Sequence, residues 1–248
     1  MNPAPASRPA RSSLPAFSVR IGLGDTVAEL HTSDGNWLAA VRERYQGFLT
    51  GAPPHLVIHH HPGRPGPPVE TDPSNAEVRL NGGAVPESVD GVLRTQLPEL
   101  AAPALVAHGA LLTDGARGFL CCGPPGAGKS TLAALLPERA LCDELALVRA
   151  VGGAFEGVSL PYWVARPGRV PLADIFLLEH APEHRRQRLA PTAAARALRS
   201  NICWPTHEPA ALNRTFATMA ELVGAVPVWR LEFTKDPGVW QTITEEPA

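Results

Sequence analysis

The tightest constraint on this chain is an eight-residue run in its second half, Gly123-Pro124-Pro125-Gly126-Ala127-Gly128-Lys129-Ser130. It matches G-x-x-x-x-G-K-[ST] at every fixed position, with an apolar run before it and a helix-compatible Leu-Ala-Ala-Leu-Leu run after it. The pattern predicts a strand, a tight loop and a helix start, in that order. Glycines let the backbone curl until successive N–H groups face phosphate oxygens, and the helix end adds partial positive charge. Lys129 is expected to reach the β- and γ-phosphates, and Ser130 to ligate Mg²⁺. The expected nucleotide contact comprises Gly123, Pro124, Pro125, Gly126, Ala127, Gly128, Lys129, Ser130 and Thr131, with the Pro124-Pro125 pair stiffening the turn.

Bulk composition agrees with a folded enzyme-sized chain. The 248 residues carry Lys+Arg 22 against Asp+Glu 24, a formal net charge of −2, and 44% are hydrophobic. That is enough apolar material for a core, and no global basic footprint for nucleic acid is present. No run approaches the roughly 20 apolar residues of a membrane helix, so no membrane span is expected. The N-terminal MNPAPASRPARSSLPA lacks an apolar segment, and reads as a disordered polar tail over 1–16 rather than a secretory signal. The four cysteines form no C-x-x-C pair, and small core residues in a reducing, cytoplasmic setting are the plain reading. Cys121 and Cys122 are expected to point to opposite faces of a strand.

The 27 prolines and 22 glycines concentrate in the tail, in residues 53–73, which read as an exposed loop, and at short punctuation sites. Residues 17–95 read as a small N-terminal α/β lobe. It holds a strand over 17–23, a helical stripe over 36–48 capped by Asp34, and short strands over 55–61, 76–80 and 92–97. Residues 96–248 read as the nucleotide-binding domain. There, runs over 104–112 and 118–122 flank a hairpin turn at Thr113-Asp114-Gly115. A helix over 129–136 follows, then strands over 140–142, 145–148, 175–178 and 228–233, and helices near 191–201 and 209–224. This alternation predicts an α/β domain with a central sheet.

The Asp143-Glu144 pair closes the strand after the first helix. A strand–helix–strand unit places it beside the phosphate loop, where a carboxylate can hold Mg²⁺ or accept the proton of an attacking hydroxyl. Adjacent residues face opposite ways, so the two are expected to take different roles; a solvated turn is the alternative. His108 borders the hairpin and reads equally as a strand-end or core histidine.

The string His108-Gly109-Ala110-Leu111-Leu112, a turn, Gly118-Phe119-Leu120-Cys121-Cys122, the phosphate loop and Leu141-Cys142-Asp143-Glu144 resembles the catalytic core of HPr kinase/phosphorylase. It is more similar still to the shorter HPr-kinase-related serine kinases of bacterial gene clusters. The resemblance covers roughly residues 104–180. It implies an α/β fold with a P-loop kinase domain of PEP-carboxykinase-like topology, Asp143 as general base for a substrate serine, and His108 near Asp143 and the γ-phosphate. Glu144 joins Ser130 as the metal-binding pair, and ATP and Mg²⁺ are the cofactors. Arg169, in Arg166-Pro167-Gly168-Arg169, is a candidate for phosphate or substrate contact. Two positions depart from the pattern: Thr131 stands where HPr enzymes carry Glu, and the acidic pair is Asp-Glu rather than Asp-Asp. The first bears on phosphorylase activity and on HPr as substrate, and both are left open.

The expected function is therefore an ATP-dependent kinase acting on a serine hydroxyl of a peptide or protein, with Asp143, His108 and Lys129 as catalytic residues. A non-catalytic nucleotide-binding adaptor and a small-molecule kinase are the alternatives, and homo-oligomerisation is left open. Other motifs carry less. His180-Ala181-Pro182-Glu183-His184 fits a zinc-protease pattern, but Pro182 breaks the helix that such a site needs. His59-His60-His61 reads as a surface run whose alternate side chains diverge, and Arg185, Arg186 and Arg188 as a solvated basic turn.

Overall fold

The structure, a computed structural model, describes residues 17–72, 77–101, 103–205 and 208–245; the tail expected over 1–16 lies outside them. The chain is a mixed α/β protein with two sheets. The first begins with the hairpin β1 (Phe17–Leu23) and β2 (Thr26–Thr32). Helix α1 (Gly35–Arg44) follows, its start fixed by Asp34, whose carboxylate accepts the N–H groups of Asn36 and Trp37 at 3.0 Å each. Strands β3 (Leu56–His61), β4 (Val69–Asp72) and β5 (Glu77–Asn81) complete the order β1-β2-β3-β5-β4.

Two expectations in this region are corrected. Residues 92–97 are not a strand but part of helix α2 (Ser88–Leu100), which buries Val89, Val92, Leu93 and Leu97 at helical spacing and packs on the second sheet. A short apolar run does not distinguish the two states, and tertiary packing decides. The Pro-rich 53–73 stretch is only partly loop, since β4 is an edge strand antiparallel to β5. The histidine run also divides as its alternation implies. His60 is buried, stacked on Trp37 and bonded to Thr32 Oγ1 at 2.9 Å, while His59 and His61 share the outer face with His31.

The second sheet contains β6 (Ala104–Thr113), β7 (Gly118–Cys122), β8 (Ala140–Cys142), β9 (Leu145–Val151), β10 (Ala154–Ser159), β11 (Arg169–His180), β12 (Arg185–Arg188) and β13 (Val228–Phe233). Its order is β10-β9-β6-β7-β11-β13-β12, with β8 on β6. The long β11 also pairs with β10 through Arg169–Pro171, so five strands curl into a closed ring. Helices α3 (Lys129–Leu135), α4 (Pro191–Leu198), α5 (Pro209–Ala225) and α6 (Val239–Thr244) complete the fold. The basic segment read as a turn is β12, antiparallel to β13, with Arg186 and Arg188 over the Trp229 ring. Strand β7 is buried on both faces, as central strands between layers are. Cys121 enters one core with Phe119 and Phe233, and Cys122 another with Leu120 and Leu222. Burial pushes the Cys122 thiol up to about 12, so it packs as a neutral group.

The sheets share one core, in which Ile21, Leu30 and Leu56 of the first meet Val106, Leu147 and Val158 of the second. A buried polar knot pins this junction. Asp90 accepts from Arg44 and from the Tyr45 hydroxyl, and its carbonyl accepts from the Tyr162 hydroxyl. Asp90→Ala strands the partly buried Arg44 and the buried Tyr45 hydroxyl, and is expected to cost about 2–4 kcal/mol by urea denaturation. A change below about 0.5 kcal/mol would show that the knot does not hold the sheets. No described helix is long and apolar enough to cross a membrane.

Candidate functional site

Strands β7, β11 and β13 run parallel, and the Gly123–Ser130 loop leaves the carboxyl end of β7. Crevices at such strand ends are where ligands approach an open α/β sheet. Gly126 (φ +82) and Gly128 (φ +100) occupy the left-handed region that side chains resist. A Cβ at Gly128 would lie 2.7 Å from the Phe233 ring, whereas one at Gly126 would meet nothing within 4 Å and project into open space. The loop is thus packed from behind and bare in front. Lys129 is buried, and its ammonium donates to the carbonyls of Gly123 (2.8 Å) and Pro124 (3.3 Å) across the loop.

Two residues that support this loop were not identified from sequence as part of it. Buried Asn201 accepts the Gly123 N–H through Oδ1 at 2.9 Å, and His180, at the end of β11, places Nε2 2.9 Å from the Gly126 carbonyl. A carbonyl only accepts, so that imidazole nitrogen carries the proton. His180 lies on a strand and not in a helix, which removes the zinc-protease geometry. Nothing local marks Asn201, since its contact spans 78 residues. Asn201→Ala leaves a buried amide without its acceptor, an expected loss of about 1–3 kcal/mol in denaturation. Unchanged stability would remove Asn201 from the loop's support.

The acidic pair interrupts a strand line. Strands β8 and β9 run along the same edge of β6, with Leu111 opposite Cys142 and His108 opposite Leu145, so the register continues across Asp143 and Glu144. The Gly109 N–H still donates to the Glu144 carbonyl at 2.9 Å. Both β7 and β8 are antiparallel to β6 and hence parallel to each other, with β6 between them. The two carboxylates take different partners. Asp143 is buried, and its carboxylate accepts the Val164 N–H at 3.2 Å. Burial is the main cause that raises its pKa above the ordinary carboxylate value, partly opposed by the Val164 hydrogen bond. Glu144 is half-exposed and meets His108 Nε2 through Oε1 at 2.9 Å, so the contact that His108 makes is with the neighbour of Asp143.

His108, Pro125, Gly126, Gly128, Lys129, Ser130, Thr131 and Glu144 line one cleft of about 350 Å³. The chain separates these residues by up to 36 positions (144 − 108), and the fold brings them together. Gly123 and Ala127 are buried beneath the loop, and Pro124 is exposed beside it. Among the described residues no three His, Cys, Asp or Glu side chains converge on a metal position. A Mg²⁺ bound chiefly by phosphates and water asks for only one or two protein oxygens, and Ser130 with the acidic pair offers that chemistry. Arg169 does not line this cleft; it pairs with Asp25 at 2.7 Å.

No family model and no curated protein matches the chain. Among solved structures, the Hpr(Ser) kinase/phosphatase from Coxiella burnetii aligns over 52% of this chain and 84% of its own, at 11% identity and a TM-score of 0.29. A likeness that shallow carries no argument, and the functional reading rests on the cleft itself.

Proposed function

We propose that this protein is an ATP-dependent kinase that transfers the γ-phosphoryl group to a serine hydroxyl of a peptide or protein. The observation that carries the reading is the cleft in which a bare glycine loop, Lys129 and Ser130 face His108 and Glu144, with buried Asp143 next to Glu144 at its edge. His108, the loop with its Lys129, and the acidic pair come from three separate segments, and phosphoryl transfer needs such positioning more than covalent chemistry.

ATP bound with Mg²⁺ supplies the phosphoryl group, and the metal offsets its negative charge. The bare face of the loop at Gly126 accommodates phosphate oxygens, and Lys129, released from its loop carbonyls, counters charge on the group in transfer. Ser130 and Glu144 would hold the metal. Asp143 accepts the proton of the acceptor hydroxyl as that oxygen bonds to phosphorus and the bond to ADP breaks. His108 holds Glu144 in place through their 2.9 Å contact. ATP consumption should rise when serine-containing peptides are added to the wild type, and should not rise with Asp143→Asn. A protein that binds ATP and modifies no hydroxyl would be the nucleotide-binding adaptor instead.

A further inference from the structure

The segment that joins β10 to β11 runs along the edge of β8 that β6 leaves free. The Arg166 N–H donates to the Leu141 carbonyl at 2.9 Å, and Ala165 bridges Cys142 in antiparallel sense. Continuing that register sets Val164 opposite Asp143, the first residue past β8. Here the ladder changes its acceptor. The Val164 N–H donates at 3.2 Å to Oδ1 of the Asp143 carboxylate, where a plain antiparallel pair uses the main-chain carbonyl.

Two anchors hold the segment in this register. On one side the Arg166 guanidinium spans the carbonyls of Ala140 (2.9 Å) and Glu138 (3.0 Å), and the Arg166 carbonyl accepts the Ser159 hydroxyl at 2.7 Å. On the other, Tyr162 is buried and its hydroxyl donates to the Asp90 carbonyl. Between them Trp163 has φ +46, the one positive value among described non-glycine residues. Side chains resist that region, and such a conformation persists where its surroundings impose it. Packing does not account for the turn, because Trp163 is 80% exposed and Val164 69%. What the turn delivers is the Val164 N–H on the carboxylate.

That contact has a chemical use. A base must aim a lone pair at the hydroxyl whose proton it takes, and misplacement by about 1 Å costs on the order of 10²-fold in rate. A donor held on one carboxylate oxygen fixes the group's rotation and leaves the second oxygen for the proton. Arg166 does not line the cleft and its contacts are with main-chain groups, so it acts through Val164.

We infer that Arg166 is a positioning residue for phosphoryl transfer, clamping residues 163–166 onto β8 so that the Val164 N–H orients the Asp143 carboxylate. The inference rests on the kinase reading for the role of Asp143, while the clamp itself can be measured without transfer.

The test uses the full chain and two measurements. One is hydrogen exchange of the Val164 amide by NMR without nucleotide, and the other is steady-state transfer from ATP and Mg²⁺ to a pool of serine-containing peptides. Asp143→Ala removes the acceptor and sets the exchange rate of the released amide. Arg166→Ala should bring Val164 exchange to within about threefold of that rate. It should also lower kcat about 10-fold, with the KM for ATP within about twofold. Arg166→Lys can satisfy only one of the two carbonyls, and should fall between on both measurements. Trp163 gives a second comparison, since Asn tolerates a left-handed backbone and β-branched Val does not. Trp163→Asn should show about 10-fold slower Val164 exchange and correspondingly higher kcat than Trp163→Val. The Arg166→Lys and Trp163 variants carry the same comparison if Arg166→Ala does not fold. Wild-type exchange at Val164 in the Arg166 variants, or a released amide with unchanged kcat, overturns the positioning role. Equal losses in Trp163→Asn and Trp163→Val overturn it too, since the indole and not the turn would then act. If the Arg166 variants release Val164 as described but the wild type phosphorylates no peptide, the clamp stands and the kinase reading alone fails.

Discussion

Asp143→Asn is expected to lower kcat for phosphoryl transfer by about 10²–10⁴-fold, the range for loss of a general base, while ATP affinity stays within about twofold. The amide keeps the shape and the acceptor oxygen that Val164 uses, but it takes no proton. The same substitution has a signed effect on stability. Burial raises the folded-state pKa of Asp143 above its unfolded value, so folding favours the protonated form. Below the unfolded value both states are protonated and the group is neutral to stability. As pH rises through the raised value, the buried charge becomes a cost to the folded state. Asn carries no such cost, so the variant should melt at or above the wild-type temperature near neutral pH and lose that advantage in acid. Activity runs the other way, because the base must be deprotonated: wild-type kcat falls as pH drops through the raised pKa, and the residual activity of the variant lacks that limb. A variant both inactive and clearly less stable at neutral pH would assign Asp143 a structural role.

Gly128→Ala is expected to disable the site from the other side. The residue holds φ +100, and an added Cβ would lie 2.7 Å from the Phe233 ring and 3.1 Å from His180 Cε1. Backbone strain and overpacking together cost about 2–4 kcal/mol. Relief requires the loop to move away from β13, which carries the Gly126 carbonyl off His180 and displaces Lys129. ATP binding should weaken at least about 10-fold, with a lower melting temperature. Gly126→Ala provides the contrast: its Cβ meets no protein atom within 4 Å, so its effect on stability should be smaller and its effect on nucleotide binding comparable. Stability losses in the reverse order would contradict a loop packed from behind and open in front.

What the sequence made legible follows the range of the interactions involved. The glycine loop with its flanking strand and helix, the Asp34 cap and strand β13 at 228–233 are local patterns and were readable as such. Helix α2 was misread because Val92, Leu93 and Leu97 form a short apolar run whose period emerges only once Val89 and the packing on β6 are known. Strands β4 and β12 carry no apolar alternation, being edge strands held by pairing with β5 and β13. At the candidate site, Lys129, Ser130 and the acidic pair were visible through their spacing. Asn201 was not, because its bond to Gly123 joins positions 78 apart. His180 was noticed for an unrelated motif, and only the parallel alignment of β11 beside β7 brings it to the loop.

The central claim is that the Lys129–Asp143 cleft moves a phosphoryl group onto a hydroxyl. The most direct measurement incubates the wild type and Asp143→Asn with Mg²⁺ and ATP labelled in its terminal phosphate, together with a pool of serine-containing peptides, and locates the label. Label on peptide serine with the wild type, and its near absence with Asp143→Asn at equal ATP occupancy, is the predicted result. Label that never leaves ATP for a hydroxyl, or that reaches peptide equally with both proteins, would contradict the account.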